Sequence, residues 1–293
     1  MSRAGIVTVA GKPNAGKSTL LNRLVGEKLS IVSPKPQSTR QRVVGIRTDR
    51  DVQMVLLDTP GLLNPAYALQ SAMRSLAREA LNDADVIVYL ADAEAGLPPS
   101  LVEAAELDTP PRAPVITALN KIDRIPSADR EALLGAVPGA RPLSAVTGEG
   151  VEELLEEVTA HLPESPFLYP ADEISTQPVR FFVGEMVRET ALEQLEEEVP
   201  YSIACEVEEF REDRTPIYIR AVIYVERESQ KRILIGAKGA RIRDIGRAAR
   251  AKIERFVGAS VYLDLWVKVL PNWRRKPREL RRFGFTVPEE YPR

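Results

Sequence analysis

The octet Gly11-Lys-Pro-Asn-Ala-Gly16-Lys17-Ser18 constrains the fold of this 293-residue chain more than any other feature. It fits the pattern G-x-x-x-x-G-K-[ST] and follows a short apolar run at residues 6–10, the context of a phosphate-binding loop. The glycines let backbone amides point inward at phosphates, and the next helix adds the positive end of its dipole. The predicted phosphate contacts are Gly11, Asn14, Ala15, Gly16, Lys17, Ser18 and Thr19, with Lys17 on the β- and γ-phosphates and Ser18 on Mg²⁺.

The first half of the chain alternates short apolar runs with amphipathic stretches. The runs at residues 6–10, 52–57, 85–90 and 115–119 are typical of buried parallel strands, and the stretches between them supply crossover helices. We therefore predict an α/β domain with a doubly wound, mostly parallel sheet over residues 1–163. Prolines from residue 163 onward predict a linker over 164–178, before a second domain over 179–293.

Two further motifs follow predicted strands and point to a nucleotide. Asp58 begins the sequence Asp-Thr-Pro-Gly, so its carboxylate suits the magnesium shell, and the amide of Gly61 can contact the γ-phosphate. Asn120-Lys121-Ile-Asp123 follows the run at 115–119. The Asp123 carboxylate can accept hydrogen bonds from N1–H and the 2-amino group of guanine, which adenine does not offer in that arrangement.

A last segment completes the set. Ser144 and Ala145 follow another short apolar segment and would add a backbone amide to the guanine oxygen. All these motifs occur in order, each at a strand end, and together they predict a site for GTP or GDP with Mg²⁺ and the hydrolysis of GTP. In the loop at residues 36–40 we prefer Thr39 as the mobile magnesium ligand, and Ser38 remains its competitor.

The second half has a different pattern of elements. A charged helix over 184–198 is followed by alternating runs at 203–207 and 217–225, a helix–turn–helix over about 229–257, and a last alternating run at 261–269. The predicted order is therefore α-β-β-α-α-β, an α+β domain.

This domain carries a second candidate site, at the turn between its paired helices. Gly236-Ala-Lys-Gly239 forms a G-x-x-G loop within residues 227–282, which hold 17 Lys and Arg against 5 Asp and Glu. A net +12 here, in a chain of net −2, is an electrostatic footprint for a polyanion. The predicted RNA contacts are Gly236, Ala237, Lys238 and Gly239 in the loop and Arg241, Arg243, Arg247 and Arg250 on the next helix, and this arginine stripe also fits a merely solvated face.

Aromatic and basic residues are interleaved after the last strand. Trp273, Arg274, Arg275 and Lys276 are predicted to stack on bases and meet phosphates. The alternative is that Trp273 and Phe283 pack the last helix onto the domain, and packing is the preferred interpretation for Phe283.

The G-x-x-G loop between two helices, in this element order, resembles a KH domain, whose loop clamps about four nucleotides of single-stranded RNA. With the nucleotide motifs, the whole chain resembles the Era family of bacterial ribosome-assembly GTPases, in the translation-factor-related class. The resemblance implies the 3′ end of small-subunit rRNA and the small ribosomal subunit as partners.

The resemblance also bears on mechanism. Leu62 stands where Ras-like proteins carry a water-orienting glutamine, which implies a branch with a hydrophobic residue there. Asn14 resembles an asparagine that ligates K⁺ in related proteins, and a tolerated loop residue is the alternative. Lys17, Thr39, Gly61 and Asn14 are thus the predicted catalytic groups, and hydrolysis is expected to be slow without a stimulating partner.

Composition narrows the remaining choices. One cysteine and one histidine exclude an intrachain disulfide and a zinc cluster, and no run reaches the roughly 18 apolar residues of a membrane helix. We expect a cytoplasmic monomer, with peripheral membrane association left open. The alternative function is a GTP-dependent signalling switch with a protein or membrane partner, in which the KH-like domain serves only for docking.

Overall fold

Strands and helices alternate along the first half of the chain in the computed structural model, which describes residues 2–288. The strands are β1 (Arg3–Ala10), β2 (Val43–Asp49), β3 (Val52–Asp58), β4 (Val86–Asp92), β5 (Val115–Asn120) and β6 (Arg141–Pro142). The helices are α1 (Lys17–Val25), α2 (Ala68–Asn82), α3 (Leu101–Ala105), α4 (Ser127–Ala136) and α5 (Val151–His161). The strand order is β2-β3-β1-β4-β5-β6.

Every strand pair in this sheet is parallel except β2 with β3, so the predicted doubly wound, mostly parallel fold is confirmed. The four predicted apolar runs fall in β1, β3, β4 and β5. Strand β2 was not predicted. It runs antiparallel to β3 and joins it directly, so no helical stretch separates the two strands in the sequence. The carboxyl ends of β1, β3, β4 and β5 lie at one edge of the sheet.

The described residues form two compact units, one of residues 2–66 and 70–176 and the other of residues 67–69 and 177–288. Most of the predicted linker is attached to the first unit. The buried side chain of Gln53 accepts hydrogen bonds from the amides of Leu168 and Tyr169, and the amide of Ile46 donates to the carbonyl of Ile174. A buried glutamine on β3 therefore holds residues 168 and 169 of this segment beside the sheet.

The second unit contains three strands in the order β7-β8-β9, with β7–β8 antiparallel and β8–β9 parallel. Its strands are β7 (Ala204–Arg211), β8 (Ile217–Val225) and β9 (Val261–Val269). Its helices are α6 (Val179–Gln194), α7 (Val199–Ser202), α8 (Glu228–Ile235), α9 (Ala240–Val257) and α10 (Pro277–Arg282). The predicted α-β-β-α-α-β order is confirmed, with α7 and α10 added. None of the helices within residues 2–288 is long and apolar enough to cross a bilayer.

The predicted helix over 184–198 is wrong at both ends. Helix α6 begins at Val179, directly after Pro178, and ends at Gln194. Phe182 and Val183 are buried, so packing against the rest of the unit extends the helix over its first turn. Helix α7 is a separate element with Pro200 in its first turn, where proline is tolerated. In one continuous helix the same proline would lie in the interior, where it removes a backbone hydrogen bond and breaks the helix.

Trp273 lies in the core of the second unit, where its side chain has no exposed surface. Its indole N–H donates to the carbonyl of Ser202 at 2.8 Å, and its ring contacts Phe283 edge-on. The segment after β9 is therefore anchored by a buried aromatic residue. The last part of the predicted C-terminal tail, residues 289–293, lies outside the described residues.

We predict that Trp273→Ala lowers the free energy of unfolding of the second unit by about 3–5 kcal/mol, because it leaves a large cavity and an unpaired carbonyl. Trp266→Ala is the matched control, since Trp266 is 53% exposed, and we expect a change within about 0.5 kcal/mol. Hydrogen exchange of the β8 amides in mild denaturant measures this unit alone. Equal effects of the two substitutions would contradict the assignment.

Candidate nucleotide site and RNA-binding surface

A cleft of about 450 Å³ lies at the carboxyl edge of the parallel strands. Predicted residues that line it are Asn14, Gly16, Lys17, Ser18, Thr19, Thr39, Gly61, Asn120, Lys121, Asp123 and Ala145. Ala15, Asp58 and Ser144 are buried beside these residues in the chain. The fold thus brings segments from five separate parts of the sequence to one cavity.

The phosphate loop has no room for a side chain at Gly16. Its φ is +97°, and a Cβ atom there would lie 2.2 Å from the side-chain nitrogen of Asn120. The ammonium of Lys17 donates to the carbonyls of Gly11 and Lys12, at 3.1 and 2.9 Å. The loop therefore curls around the lysine that is predicted to contact the phosphates.

Lys17 and Asp58 form a buried pair of opposite charge behind this loop. Burial lowers the pKa of Lys17 to about 8, although the Asp58 carboxylate acts in the opposite direction. Burial also raises the pKa of Asp58, although Lys17 and neighbouring hydroxyl groups favour its ionised form. Neither charge is fully compensated by the other. An additional anion near Lys17 and an additional cation near Asp58 would therefore stabilise the charged forms of these two side chains.

Three oxygen-bearing side chains meet at one point beside the phosphate loop. The hydroxyl of Ser18 lies 2.7 Å from Asp58 Oδ2 and 2.8 Å from Thr39 Oγ1. Thr39 Oγ1 lies 3.2 Å from the same Asp58 oxygen and is buried. The structure therefore brings the three predicted metal ligands together. Oδ1 of Asp58 is buried with no hydrogen-bond partner.

The side chain of Asn120 joins two loops of the cleft. Its amide nitrogen donates to the carbonyl of Ala15 at 2.7 Å, and its Oδ1 accepts from the amide of Ala145 at 2.9 Å. The asparagine at the end of β5 thus fixes the phosphate loop against the segment predicted to contact the guanine oxygen. Both groups of the amide are used internally, so its role is to hold the two loops in register.

Lys121 and Asp123 continue from Asn120 toward the cleft. Lys121 adopts a left-handed backbone conformation, and its ammonium pairs with Asp92 at the end of β4. The Asp123 carboxylate is exposed and makes no hydrogen bond within the described part of the chain, so both of its oxygens can accept from a guanine edge.

Two residues of α1 support the cleft, although neither is among the residues predicted from the sequence. Arg23 Nε donates to the carbonyl of Ala145 at 2.6 Å, and its guanidinium also contacts the carbonyl of Val146. Asn22 accepts from the amides of Leu29 and Ser30, which anchors the start of the loop that leads to Thr39. Neither residue belongs to a motif, because each acts through the backbone of a distant segment.

Asn14 and Leu62 have contrasting environments. Asn14 is exposed, and its side-chain nitrogen donates to the carbonyl of Pro34 at 2.9 Å. Leu62 is buried in an apolar cluster with Ala10, Leu81 and Tyr89, and its amide donates to the carbonyl of Gly11. The leucine side chain thus contributes to the core, whereas that of Asn14 connects the phosphate loop to the loop before Thr39.

The G-x-x-G segment connects α8 to α9 and requires glycine at its first position. Gly236 has φ +71°, and a Cβ atom there would lie 2.8 Å from Cβ of Arg241. Lys238 is exposed with a left-handed backbone, and Gly239 precedes the first residue of α9. The positive end of an 18-residue helix therefore begins directly after the loop, where a phosphate group would be stabilised.

Helix α9 divides into the two predicted faces. Ile245, Ala249 and Ile253 are buried, whereas the arginines predicted to contact RNA are exposed. Arg247 pairs with Asp244 and Arg250 lies 3.9 Å from Glu254, so each is partly neutralised on its own helix. Arg243 makes no ion pair within residues 2–288 and is the most available cation of this stripe.

The segment after β9 corrects one prediction. Trp273 cannot stack on a base, because its ring is fully buried against α7 and Phe283. Arg274 is partly buried and pairs with Glu226. Arg275 and Lys276 are exposed and remain available to a phosphate. The interleaved pattern was therefore mainly a packing signal, as the alternative interpretation held.

Strand β9 carries an apolar stripe for which no sequence motif predicts a role. It is the edge strand of its sheet, and Leu263, Leu265 and Val267 are half-buried. Leu265 lies 3.9 Å from where a side chain at Gly246 of α9 would begin. The alternation of apolar residues in β9 is visible in the sequence and places these side chains on the side of the sheet that faces the helices.

Comparisons with known proteins agree with this arrangement. Residues 6–121 match the family described as 50S ribosome-binding GTPase, and residues 198–274 match the KH domain family. GTPase Era of Carboxydothermus hydrogenoformans is 40% identical over 97% of this chain and 98% of its own length. GTPase Era of Halothermothrix orenii is 42% identical over 97% and 98% of the two chains.

Solved structures give the same result. A crystal structure of an Aquifex aeolicus Era variant bound to GDP·AlF4⁻ is 40% identical, covers 96% of this chain and 99% of its own, and superposes with a TM-score of 0.92. A crystal structure of Era with MgGDPNP and nucleotides 1506–1542 of 16S ribosomal RNA is 40% identical, covers 97% and 99%, and gives a TM-score of 0.93.

The nucleotide cleft and the loop between α8 and α9 define a P-loop GTPase that carries a KH domain. Within that class, the chain belongs to the Era family of GTPases.

We predict that GDP affinity is level below pH 8 and falls as the pH rises above 8. Below its pKa of about 8, Lys17 is charged in both the free and the bound protein. Above it, the free protein holds a neutral lysine, and phosphates that raise the pKa of this lysine bind with proton uptake. The slope is at most tenfold per pH unit.

Calorimetry in two buffers of different ionisation enthalpy measures this proton uptake at about pH 7 and about pH 8.5. The matched control is Lys17→Arg, which stays charged at both pH values and takes up no proton. Equal uptake by the original protein at both pH values would contradict the assignment.

Proposed function

We propose that this protein hydrolyses GTP in the cleft beside Lys17 and binds single-stranded RNA at the loop between α8 and α9, in assembly of the small ribosomal subunit. One observation carries the proposal: a single chain positions a full set of guanine-nucleotide groups and a G-x-x-G loop at the start of a long helix. The relative solved with nucleotides 1506–1542 of 16S ribosomal RNA supports the 3′ end of small-subunit rRNA as the target.

Ser18, Thr39 and Asp58 fit a magnesium ion. Their oxygens already converge, Asp58 Oδ1 is buried without a partner, and hard oxygen ligands suit this cation. When bound with the nucleotide, Mg²⁺ neutralises charge on the phosphate oxygens. Thr39, rather than Ser38, is the ligand that we infer from the loop, because its hydroxyl lies between Ser18 and Asp58.

Each remaining group has a distinct task in hydrolysis. Lys17 stabilises negative charge on the β- and γ-phosphates, and the Gly61 amide stabilises the γ-phosphate. Asp123 selects guanine through its two acceptor oxygens, while Asn120 holds the loop of Ala145 in place. Leu62 offers no hydrogen bond to the attacking water, so hydrolysis is slow until a partner or a cation supplies further stabilisation.

Asn14 supports the proposal of a potassium ion as that cation. Its side-chain nitrogen is bonded to Pro34, which leaves Oδ1 to accept a cation beside the phosphates. A cation at this place would neutralise charge that develops between the β- and γ-phosphates. Peripheral membrane association and a monomeric state stay predictions.

We expect K⁺ to speed single-turnover GTP hydrolysis roughly ten- to hundredfold over Na⁺ at equal ionic strength, and Asn14→Ala to remove the difference. The control Asn82→Ala, at the exposed end of α2, should leave the difference intact. Equal rates in the two salts for the original protein would overturn the potassium proposal alone.

For RNA binding, we expect Gly236→Asp to weaken retention of a single-stranded oligoribonucleotide more than tenfold, with GTP hydrolysis unchanged. A carboxylate at this position repels phosphates, and the added side chain clashes with Arg241. Because that substitution is also strained, Lys238→Asp provides a second test without a clash, since Lys238 is exposed.

The matched control for Gly236→Asp is Ser229→Asp. It adds the same single negative charge at the opposite end of α8, where an acidic residue is favourable to the helix. Fluorescence anisotropy of labelled RNA measures the effect. Undiminished binding by both loop variants would show that the loop is not the RNA site.

A further inference from the structure

One side of the sheet in the second unit carries exposed aromatic rings. The register places Tyr218 beside Tyr262, Arg220 beside Asp264 and Val222 beside Trp266. Ile219, Ala221 and Ile223, which alternate with these residues on β8, are fully buried, and so is Val222, whereas Tyr262 and Trp266 are exposed. We call the group Tyr218, Arg220, Tyr262, Asp264 and Trp266 the aromatic face.

The C-terminal segment covers only the neighbouring part of this side of the sheet. The ring of Phe283 packs on Tyr224 with centroids 5.4 Å apart, and Arg282 pairs with Glu206. Tyr262 and Trp266 are not covered and keep 58% and 53% of their surface exposed. These values contrast with the complete burial of Trp273, so the domain buries one tryptophan and presents the other.

A hydrogen-bond network fixes the rings of the aromatic face in position. Asp264 accepts from the indole N–H of Trp266 at 2.8 Å, the hydroxyl of Tyr218 at 2.9 Å and Nε of Arg220 at 3.1 Å. Tyr218 and Tyr262 are stacked with 12° between their planes. The polar side-chain atoms of Tyr218, Asp264 and Trp266 are thus satisfied within the face, and a partner would meet mainly apolar ring surface.

The Asp264 carboxylate remains charged under neutral conditions. Partial burial raises its pKa, but the hydrogen bonds from Trp266, Tyr218 and Arg220 outweigh this and hold the pKa below its usual range. The hydrogen bonds that the Asp264 carboxylate accepts are therefore intact at neutral pH.

Cations lie beside the rings. The guanidinium groups of Arg214 and Arg211 lie 4.5 and 5.3 Å from the centroid of Tyr218. Arg214 is exposed and makes no ion pair among residues 2–288. Aromatic rings with flanking arginines are the combination on which nucleic-acid bases stack while phosphates meet positive charge.

The spacing of the exposed rings suits a nucleotide chain. Tyr262 and Trp266 lie on the same side of β9, four residues and about 13 Å apart. This equals the length of about four stacked nucleotides at about 3.4 Å each, and of fewer when the bases are splayed.

Strand β9 connects this face to the proposed RNA site. It is the edge strand, and Leu263 and Leu265 on its helix-facing side alternate with Tyr262, Asp264 and Trp266. Because β9 is at the edge, an RNA chain bound on the side of the sheet that faces the helices has to cross only β9 to reach the aromatic face.

We propose that the aromatic face is a second binding platform, on which Tyr262 and Trp266 stack with bases of single-stranded RNA that extends beyond the loop at Gly236–Gly239. The inference rests on the proposed RNA-binding function and extends it to a longer segment. Arg211, Arg214, Arg220 and Lys268 are nearly balanced by Glu208, Glu209 and Asp264. Stacking therefore supplies the affinity here, and its dependence on salt is weak.

RNA length separates this platform from the loop. A tetranucleotide fills the loop, which clamps about four nucleotides, whereas a decanucleotide also reaches the aromatic face. We expect Trp266→Ala to leave tetranucleotide affinity unchanged and to weaken decanucleotide binding between about fivefold and about 150-fold, with Trp266→Phe in between. A merely structural role of Trp266 would move both affinities together.

Tryptophan fluorescence provides a direct readout, since the chain has two tryptophans and Trp273 is buried. An adenine decanucleotide should quench the emission of the original protein in a saturable way, and Trp266→Phe should abolish the quenching. In salt titrations, Arg243→Ala should reduce the slope of affinity against salt, and Trp266→Ala should leave it unchanged.

The outcomes separate the two proposals. Normal decanucleotide binding by Trp266→Ala, with no quenching in the original protein, overturns the platform, leaves the loop as the RNA site and points to a protein partner for the face. Saturable quenching that persists at higher RNA concentration in Gly236→Asp supports the platform as a separate site. If the original protein binds neither oligonucleotide, both proposals fail.

Discussion

The carboxyl edge of four parallel strands is the constraint on which the nucleotide site depends. Strands β1, β3, β4 and β5 lie side by side, so the residues that follow them meet at one edge although they are far apart in sequence. The amide of Asn120 then joins the phosphate loop to the loop of Ala145 through two hydrogen bonds. Because both bonds are internal, the protein itself fixes the distance between the phosphate and guanine sites, and the ligand enters a preformed cleft.

Burial of charge makes that cleft receptive to its ligands. Lys17 and Asp58 lie in low-dielectric surroundings that disfavour the charged form of each, as the opposite shifts of their pKa values show. A triphosphate and a divalent cation would supply the missing counter-charges. The hydroxyls of Ser18 and Thr39 converge on one oxygen of the Asp58 carboxylate, and the other oxygen is buried without a hydrogen-bond partner.

In the first domain the candidate site lies at the ends of the strands. In the second domain the candidate surfaces lie on the two sides of a strand, because successive side chains alternate between them. In β9, residues that face the helices alternate with Tyr262, Asp264 and Trp266 on the opposite side, so one edge strand serves two surfaces. The +12 charge of residues 227–282 is unevenly distributed between them. Lys238 at the G-x-x-G loop and Arg243 on α9 make no ion pair within residues 2–288, whereas the cations around the aromatic face, among them the unpaired Arg214, are nearly balanced by carboxylates. The first surface is therefore suited to phosphates and the second to bases.

The sequence by itself determined the class of each domain and the mostly parallel character of the first sheet. It also placed the phosphate loop, Asp58 and Asp123 at or just after strand ends, because these features depend on local spacing next to a strand. Tertiary structure alone placed Arg23 and Asn22 in the support of the cleft, brought the Thr39 hydroxyl beside Ser18 and Asp58, and extended α6 to Val179. It also buried Trp273 and exposed Trp266. These outcomes depend on what packs from distant parts of the chain, and an aromatic residue beside arginines has the same local pattern whether it faces solvent or the core.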